Sequence, residues 1–218
     1  MVPFELPQSC AVGQNIPKNA FHAHLTPAQR KTLSKCIERI TWTHKITSTN
    51  SNLPAEDIEE IQIFLLALRE KNNLDALREA MEKVIPYTLI LWLEFEGEAF
   101  ISSSQKHPHA IQLNRSVVDW TFKSEWFYVE TCPFSLILET SIDQTAKRFW
   151  IQLSGKAYDA ETSPARIVED QQAIYRLTSQ IKKLQSRIAS ERQFNRRVEL
   201  NQQLQTAQRA LKALDSNS

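Results

Sequence analysis

Glu60-Ile61-Gln62 is the sharpest candidate for chemistry in this chain. Alternate residues of a strand share a face, so the Glu60 carboxylate and the Gln62 amide would stand side by side. Metal-dependent nucleases use such a pair, usually Glu-x-Lys and occasionally Glu-x-Gln. An acidic residue on a neighbouring strand completes the set that holds Mg²⁺ and positions a water. Glu56 or Asp57 offers a further carboxylate. Against this, the spacing is common, the usual lysine is missing, and no preceding strand supplies an aspartate. Glu59, Glu60 and Gln62 equally suit the solvated entry to a buried strand.

The remaining reactive side chains form no recognisable device. His22 and His24, and again His107 and His109, stand two apart, but no further ligands accompany either pair, so no metal site is expected. They read as polar loop residues, and His44 as a satisfied, half-buried histidine in a strand. Cys10, Cys36 and Cys132 are too scattered for a disulfide framework or a zinc site. No serine sits in a nucleophile-elbow context. With only three glycines, Gly13, Gly97 and Gly155, a phosphate-cradling P-loop or dinucleotide fingerprint is excluded, and no cofactor is expected outside the Mg²⁺ of the nuclease reading. Trp120, Phe122, Trp126, Phe127 and Tyr128 cluster with few basic partners, which favours a packed sheet face or protein interface over base stacking.

The last quarter carries the clearest pattern. Ile174, Leu177, Ile181, Leu184 and Ile188 alternate steps of three and four, the apolar seam of a coiled coil. A second seam, Leu200, Leu204, Ala207, Leu211 and Leu214, follows a phase break around Glu191 and Asn195. Such stripes must be buried against another helix, which makes Ile174, Leu177, Ile181, Leu184, Ile188, Leu200, Leu204 and Leu211 candidate partner-binding residues. Off the seam, Lys182, Lys183, Arg187, Arg192, Arg196 and Arg197 are candidates for nucleic-acid contact, or simply a solvated face.

Charge is distributed to match. The net charge of the 218 residues is +1, yet residues 165–218 carry ten basic and five acidic side chains, and residues 1–164 carry an acidic excess. A basic tail on an acidic body suits an acidic partner surface. The amino terminus lacks the basic start and apolar run of a signal peptide, and the apolar runs IQIFLLAL and YTLILWLEF are too short to span a bilayer. The expectation is a cytoplasmic protein without a membrane partner.

These residues require a scaffold of class α/β (α+β): a mixed-sheet body with flanking helices, then a C-terminal helical hairpin or coiled coil. Residues 1–25 read as an extended, proline-punctuated arm, 26–155 as the α/β body, 156–164 as a linker and 165–214 as the hairpin. Thr26-Pro27-Ala28-Gln29 is a capping box that opens a helix. A strand over Ile40–Thr47 would put Ile40, Trp42, His44 and Ile46 on one side. The run Ile58–Leu68 suits a central strand buried on both faces. Asn73 can cap a helix that carries Leu74, Leu77, Met81 and Val84 and ends before Pro86. Strands over Tyr87–Glu96 and Glu98–Ser103 would turn at Glu96-Gly97, and Ile111–Phe127 is also β-like. Ser141 caps a further helix that closes at Gly155. Because Ser190–Arg197 holds neither glycine nor proline, a single long C-terminal helix competes with the hairpin.

Several segments together resemble one bacterial family, domain of unknown function 4391. They are IPKNAF (16–21), IERITWTHKI (37–46), EEIQIFLLALR (59–69) with the following helix and IPYTLILWL (85–93), SEWF (124–127) and, above all, ERQFNRRVELNQQL (191–204). The resemblance spans nearly the whole chain. It implies no catalytic residues. It does imply an association with helicases and DNA methyltransferases of restriction or phage-defence systems, which is not a mechanism. The resemblance also implies more charge on the central strand than Leu65-Leu66-Ala67-Leu68-Arg69 provides, which further weakens the nuclease reading.

Three functions are compatible with the sequence. The first is a non-catalytic accessory or adaptor protein of a bacterial DNA-processing system, docking through its basic coiled coil onto a helicase or DNA methyltransferase, with DNA contact through the tail. The second is a divergent Mg²⁺-dependent nuclease of restriction-enzyme-like fold using Glu60 and Gln62. The third is a homodimeric structural protein held by the seams, without nucleic acid.

Overall fold

A computed structural model describes residues 4–72, 74–109, 111 and 116–216, except for the side chains of His24, Asp215 and Ser216. The chain divides into two compact units, Met1–Ser154 and Gly155–Ser218.

The first unit is a mixed seven-stranded sheet with helices on both faces. Strands β1 (Ala11–Ile16), β2 (Ile37–Thr47), β3 (Glu60–Leu68), β4 (Thr88–Phe95), β5 (Glu98–Pro108) and β6 (Ser116–Lys123) lie in chain order across the sheet, and β7 (Phe127–Tyr128) also pairs with β5. Only β3 and β4 run parallel. A parallel pair cannot be joined by a tight turn, so the chain crosses over through helix α3 (Leu74–Val84). Residues 11–16, expected in an extended arm, are instead an edge strand antiparallel to β2. Gly13, at φ +67°, absorbs the bulge between Ala11 and Gln14, a conformation that a side chain would strain.

The central apolar run is β3, buried on both faces as its composition requires. One face, carrying Phe64, Leu66, Leu89, Leu91 and Leu93, packs under α3 through Leu77 and Met81. It packs also under helix α1 (Pro27–Cys36) through Leu33 and under a 3-10 segment over Lys18–His24 through Phe21. The expected capping box opens α1: Thr26 Oγ1 accepts from the Gln29 backbone N–H at 3.3 Å, and Gln29 Oε1 accepts from the Thr26 N–H at 3.0 Å. The short α2 (Ser48–Ser51) follows β2.

The other face is covered by helix α4 (Ile142–Ser154), whose Trp150 stacks on Phe122 and donates to Ser103 Oγ at 2.9 Å. Phe4 sets its ring edgewise between Trp92 and Phe149. Ser141 caps α4, accepting from the Gln144 N–H at 3.0 Å. Glu96 and Gly97, at φ 48° and 81°, make the β4–β5 turn, a pair of left-handed residues that matches the twist of an antiparallel ribbon.

Two expectations are corrected. Ile40, Trp42, His44 and Ile46 do not share a face, because Thr43 is an extra residue between the Trp42–Phe64 and His44–Ile63 pairs. The bulge leaves Ile40 and Trp42 in the α3-side core and sends Ile46 opposite Ile61 on the other face. His44 is half-buried but not satisfied: its Nδ1 has no hydrogen-bond partner, and burial pushes its pKa down. The proposed Asn73 cap, the His24 side chain and part of the Ile111–Phe127 segment lie outside the described residues.

The second unit is the helical hairpin: α5 (Pro164–Ser190) and α6 (Phe194–Ser216) pack on each other. Ser163 caps α5 by accepting from the Arg166 N–H at 3.2 Å, with Pro164 at the first helical position. Among the described residues no helix is long and apolar enough to cross a membrane.

Candidate functional site

Within the sheet unit, Glu60 and Gln62 stand at the amino end of β3 and share a face, as strand alternation demands. The Gln62 amide donates to Glu60 Oε1, and Lys45, brought alongside by the β2–β3 register, pairs with Oε2 at 2.8 Å. Both residues are buried. Each oxygen of the Glu60 carboxylate is thus engaged by a neighbouring side chain. A metal ion here would have to compete with the Lys45 ammonium.

This end of the parallel pair borders a cleft of about 590 Å³, lined by Asp57, Glu59, Glu60, Tyr87, Lys106 and His107 among others. Asp57 is held by its backbone: Asp143, on the first turn of α4, accepts from the N–H groups of Glu56, Asp57 and Ile58 at 2.9–3.0 Å. His107 Nδ1 lies 2.8 Å from Asp119 Oδ1. Among the described residues, no group of three His, Cys, Asp or Glu side chains stands close enough to share a metal ion.

Lys106 is fixed by a task of its own. Its ammonium donates to the carbonyls of Ile85 and Tyr87 at 2.8 and 2.9 Å, and it pairs with Glu82 at 2.5 Å. These groups lie at and just beyond the carboxyl end of α3, where helix carbonyls lack intrahelical partners and a cation is favoured. Burial pushes the Lys106 pKa down, against the pull of Glu82. From Glu82 a polar chain continues through Ser104 Oγ (2.7 Å), Thr121 Oγ1 (2.9 Å) and Arg78 (3.0 Å) to Asp75 (3.1 Å) and Lys123 (2.7 Å). This network joins α3, β5 and β6 and was not foreseen from the sequence. Its trace was the position of Arg78 and Glu82, each one residue beyond the core positions Leu77 and Met81, so that all four fall on the sheet-facing stripe of α3.

The aromatic cluster is dispersed over both faces. Phe122 stacks on Trp150 and Phe127 meets Trp92 edge-on, while Trp126 packs against Phe100. Lys71 lies over the Trp126 ring, 4.2 Å from its centre. Tyr128 is exposed.

In the hairpin unit the two seams run antiparallel. Leu177 lines one surface depression with Ala207 and Ala210, Leu184 another with Gln203, and Arg187 a third with Leu200 near the turn. At the open end Lys156 donates to the Leu214 carbonyl at 2.6 Å. Leu184, Leu200 and Ala207 are buried, and Ile174, Leu177, Ile181, Ile188, Leu204 and Leu211 are half-buried. The turn needs neither glycine nor proline. Glu191 leaves the helical conformation (φ −77°, ψ 127°), and its Oε1 accepts from the Gln193 N–H at 2.9 Å. A carboxylate just before the amino end of α6 suits the helix dipole.

The turn gathers charge. Arg187, Arg192 and Arg196 line one open depression with Glu191 and Leu200, and Arg197 follows on the first turn of α6. Lys182, Lys183, Arg187, Arg192, Arg196 and Arg197 are all exposed. Arg196 lies 3.6 Å from Glu191; none of the other five has a carboxylate within ion-pair distance among the described residues. Such a surface offers guanidinium and ammonium donors to phosphates or carboxylates.

Fold and hairpin together define a mixed α/β sheet protein with an appended basic helical hairpin. The chain belongs to the family described as Domain of unknown function (DUF4391), which matches residues 4–211. No curated protein and no solved structure matches it.

Proposed function

We propose that this chain is a non-catalytic accessory protein of a bacterial DNA-processing system of restriction or phage-defence type, and that the hairpin is its docking element. One observation carries the reading. The apolar seams turn inward on each other, and six unneutralised or weakly neutralised cations are left on the outside, four of them arginines around the turn. The association implied by the family resemblance supplies the setting, with a helicase or DNA methyltransferase as the protein partner. The engagement of both Glu60 oxygens by Lys45 and Gln62 argues in the same direction.

Co-purification of the tagged chain from its host, with and without nuclease treatment, tests this. A stoichiometric helicase or methyltransferase that survives nuclease treatment is expected. Recovery of the chain alone, or as a salt-insensitive dimer of itself, overturns the accessory reading and favours the homodimer. The nuclease reading keeps one supporting observation: Glu60 opens on a cleft that Asp57 and Glu59 also line.

A further inference from the structure

We infer that Phe194 is a base-stacking residue and that the hairpin turn takes single-stranded nucleic acid; this rests on the reading of the hairpin as the docking element. Phe194 is 77% exposed, although the seam residues of the same hairpin are buried or half-buried. It opens α6 directly after the three-residue turn, with Arg192 two residues before it and Arg196 and Arg197 two and three after it. Arg187, from the far helix, shares the depression with Arg192 and Arg196. The one acidic side chain lining that depression, Glu191, is already occupied by the Gln193 N–H and by Arg196.

An aromatic ring left in water, with Arg192, Arg196 and Arg197 within three residues of it along the chain, has a specific use. Duplex DNA presents phosphates to arginine, but its bases are stacked on one another, so the ring would add nothing to backbone binding. A single strand presents both groups at once: phosphates for Arg187, Arg192, Arg196 and Arg197, and an unpaired base whose face stacks on Phe194. Recognition of this kind tolerates any base, because every base has a π-face. A protein pocket that accepts Phe194 is the competing occupant. It is disfavoured by the clustering of like charge at the rim, which phosphates neutralise at every nucleotide.

The test is fluorescence anisotropy with the full chain, using labelled oligothymidylate and a duplex of equal length across a salt series. The single strand is expected to bind more tightly. Phe194→Ala should weaken single-strand binding by roughly 5- to 140-fold, the range of one lost stack, and leave duplex binding unchanged. Phe194→Trp should restore the single-strand affinity. Replacement of Arg192 and Arg196 by Ala should instead weaken both ligands and flatten the salt dependence. Equal single-strand affinity for the parent and Phe194→Ala overturns the inference even where duplex binding persists. Loss of a host protein partner from Phe194→Ala, with nucleic-acid binding intact, assigns the ring to a protein pocket and overturns it as well. If the parent binds neither nucleic acid, the inference falls, while a nuclease-resistant protein partner would still uphold the docking role of the hairpin.

Discussion

Lys106 and Glu82 pair at 2.5 Å with both side chains only 3% exposed, joining β5 to the last turn of α3. Removal of one partner leaves the other as an uncompensated charge inside the protein, a far larger penalty than the pair's net worth. Lys106→Met is expected to destabilise the sheet unit by about 3–5 kcal/mol. The double variant Lys106→Met with Glu82→Leu should recover much of that loss, because both charges go together. Urea denaturation followed by tryptophan fluorescence checks this. A double variant no more stable than the single one would show that the carbonyl bonds of Lys106, and not its charge, dominate.

At the far end of the same network, Asp75 accepts from Lys123 at 2.7 Å and from Arg78 at 3.1 Å. The Lys123 hydrogen bond is the larger cause that holds its carboxyl below the usual carboxylate range; burial opposes it, and Arg78 adds to it. A folded-state pKa below the unfolded one gives stability that is fully present above the unfolded value, about 3.9, and is lost as pH falls through the folded value. The Asp75 side chain is 72% exposed, so solvent screening limits this to below about 1 kcal/mol. Asp75→Asn should lower stability slightly at neutral pH and flatten its decline as pH falls below about 4. An unchanged acid limb in urea midpoints measured across that range would count against the role.

How far the fold was legible follows from which interactions are local. Capping at Thr26 and Ser141, the Glu96-Gly97 turn and the buried run of β3 are written in neighbouring residues, and the structure has each of them. The hairpin seams were equally plain, since their period is a property of one segment. The break around Glu191 showed as a loss of phase between the seams; the bond that shapes it did not, because nothing in the sequence marks a glutamate whose carboxylate accepts from the N–H two residues on. Register was invisible for the same reason: the Thr43 bulge is a relation between β2 and β3, and it reverses a face that alternation alone assigns. At the candidate site, Glu60 and Gln62 were visible as a pair, but Lys45 reaches Glu60 only through strand pairing.

The seams make a separable prediction. Leu184 is buried and Ile181 half-buried within the hairpin, so Asp at both positions places two charges in the apolar seam of α5. The double variant should lose the helical circular dichroism of α5 and α6, keep the near-ultraviolet signal of Trp92 and Trp150 in the sheet unit, and fail to retain the host partner. Partner binding that survives melting of the hairpin would move the docking surface to the sheet.

Glu60 separates the accessory reading from the nuclease reading through two substitutions of different shape. Glu60→Ala strips Lys45 and Gln62 of their shared acceptor in a buried position, and a stability loss of about 1–3 kcal/mol is expected. Glu60→Gln keeps an acceptor oxygen for Lys45 and nearly the same volume, so it should fold with a smaller loss, yet it cannot supply a carboxylate to Mg²⁺ or Mn²⁺. Cleavage of DNA by the assembled host complex, measured with either cation, should therefore be unchanged in Glu60→Gln. Should that variant fold normally and assemble, but abolish cleavage, Glu60 would be a metal ligand that exchanges Lys45 for the ion, and the accessory assignment would give way to the nuclease.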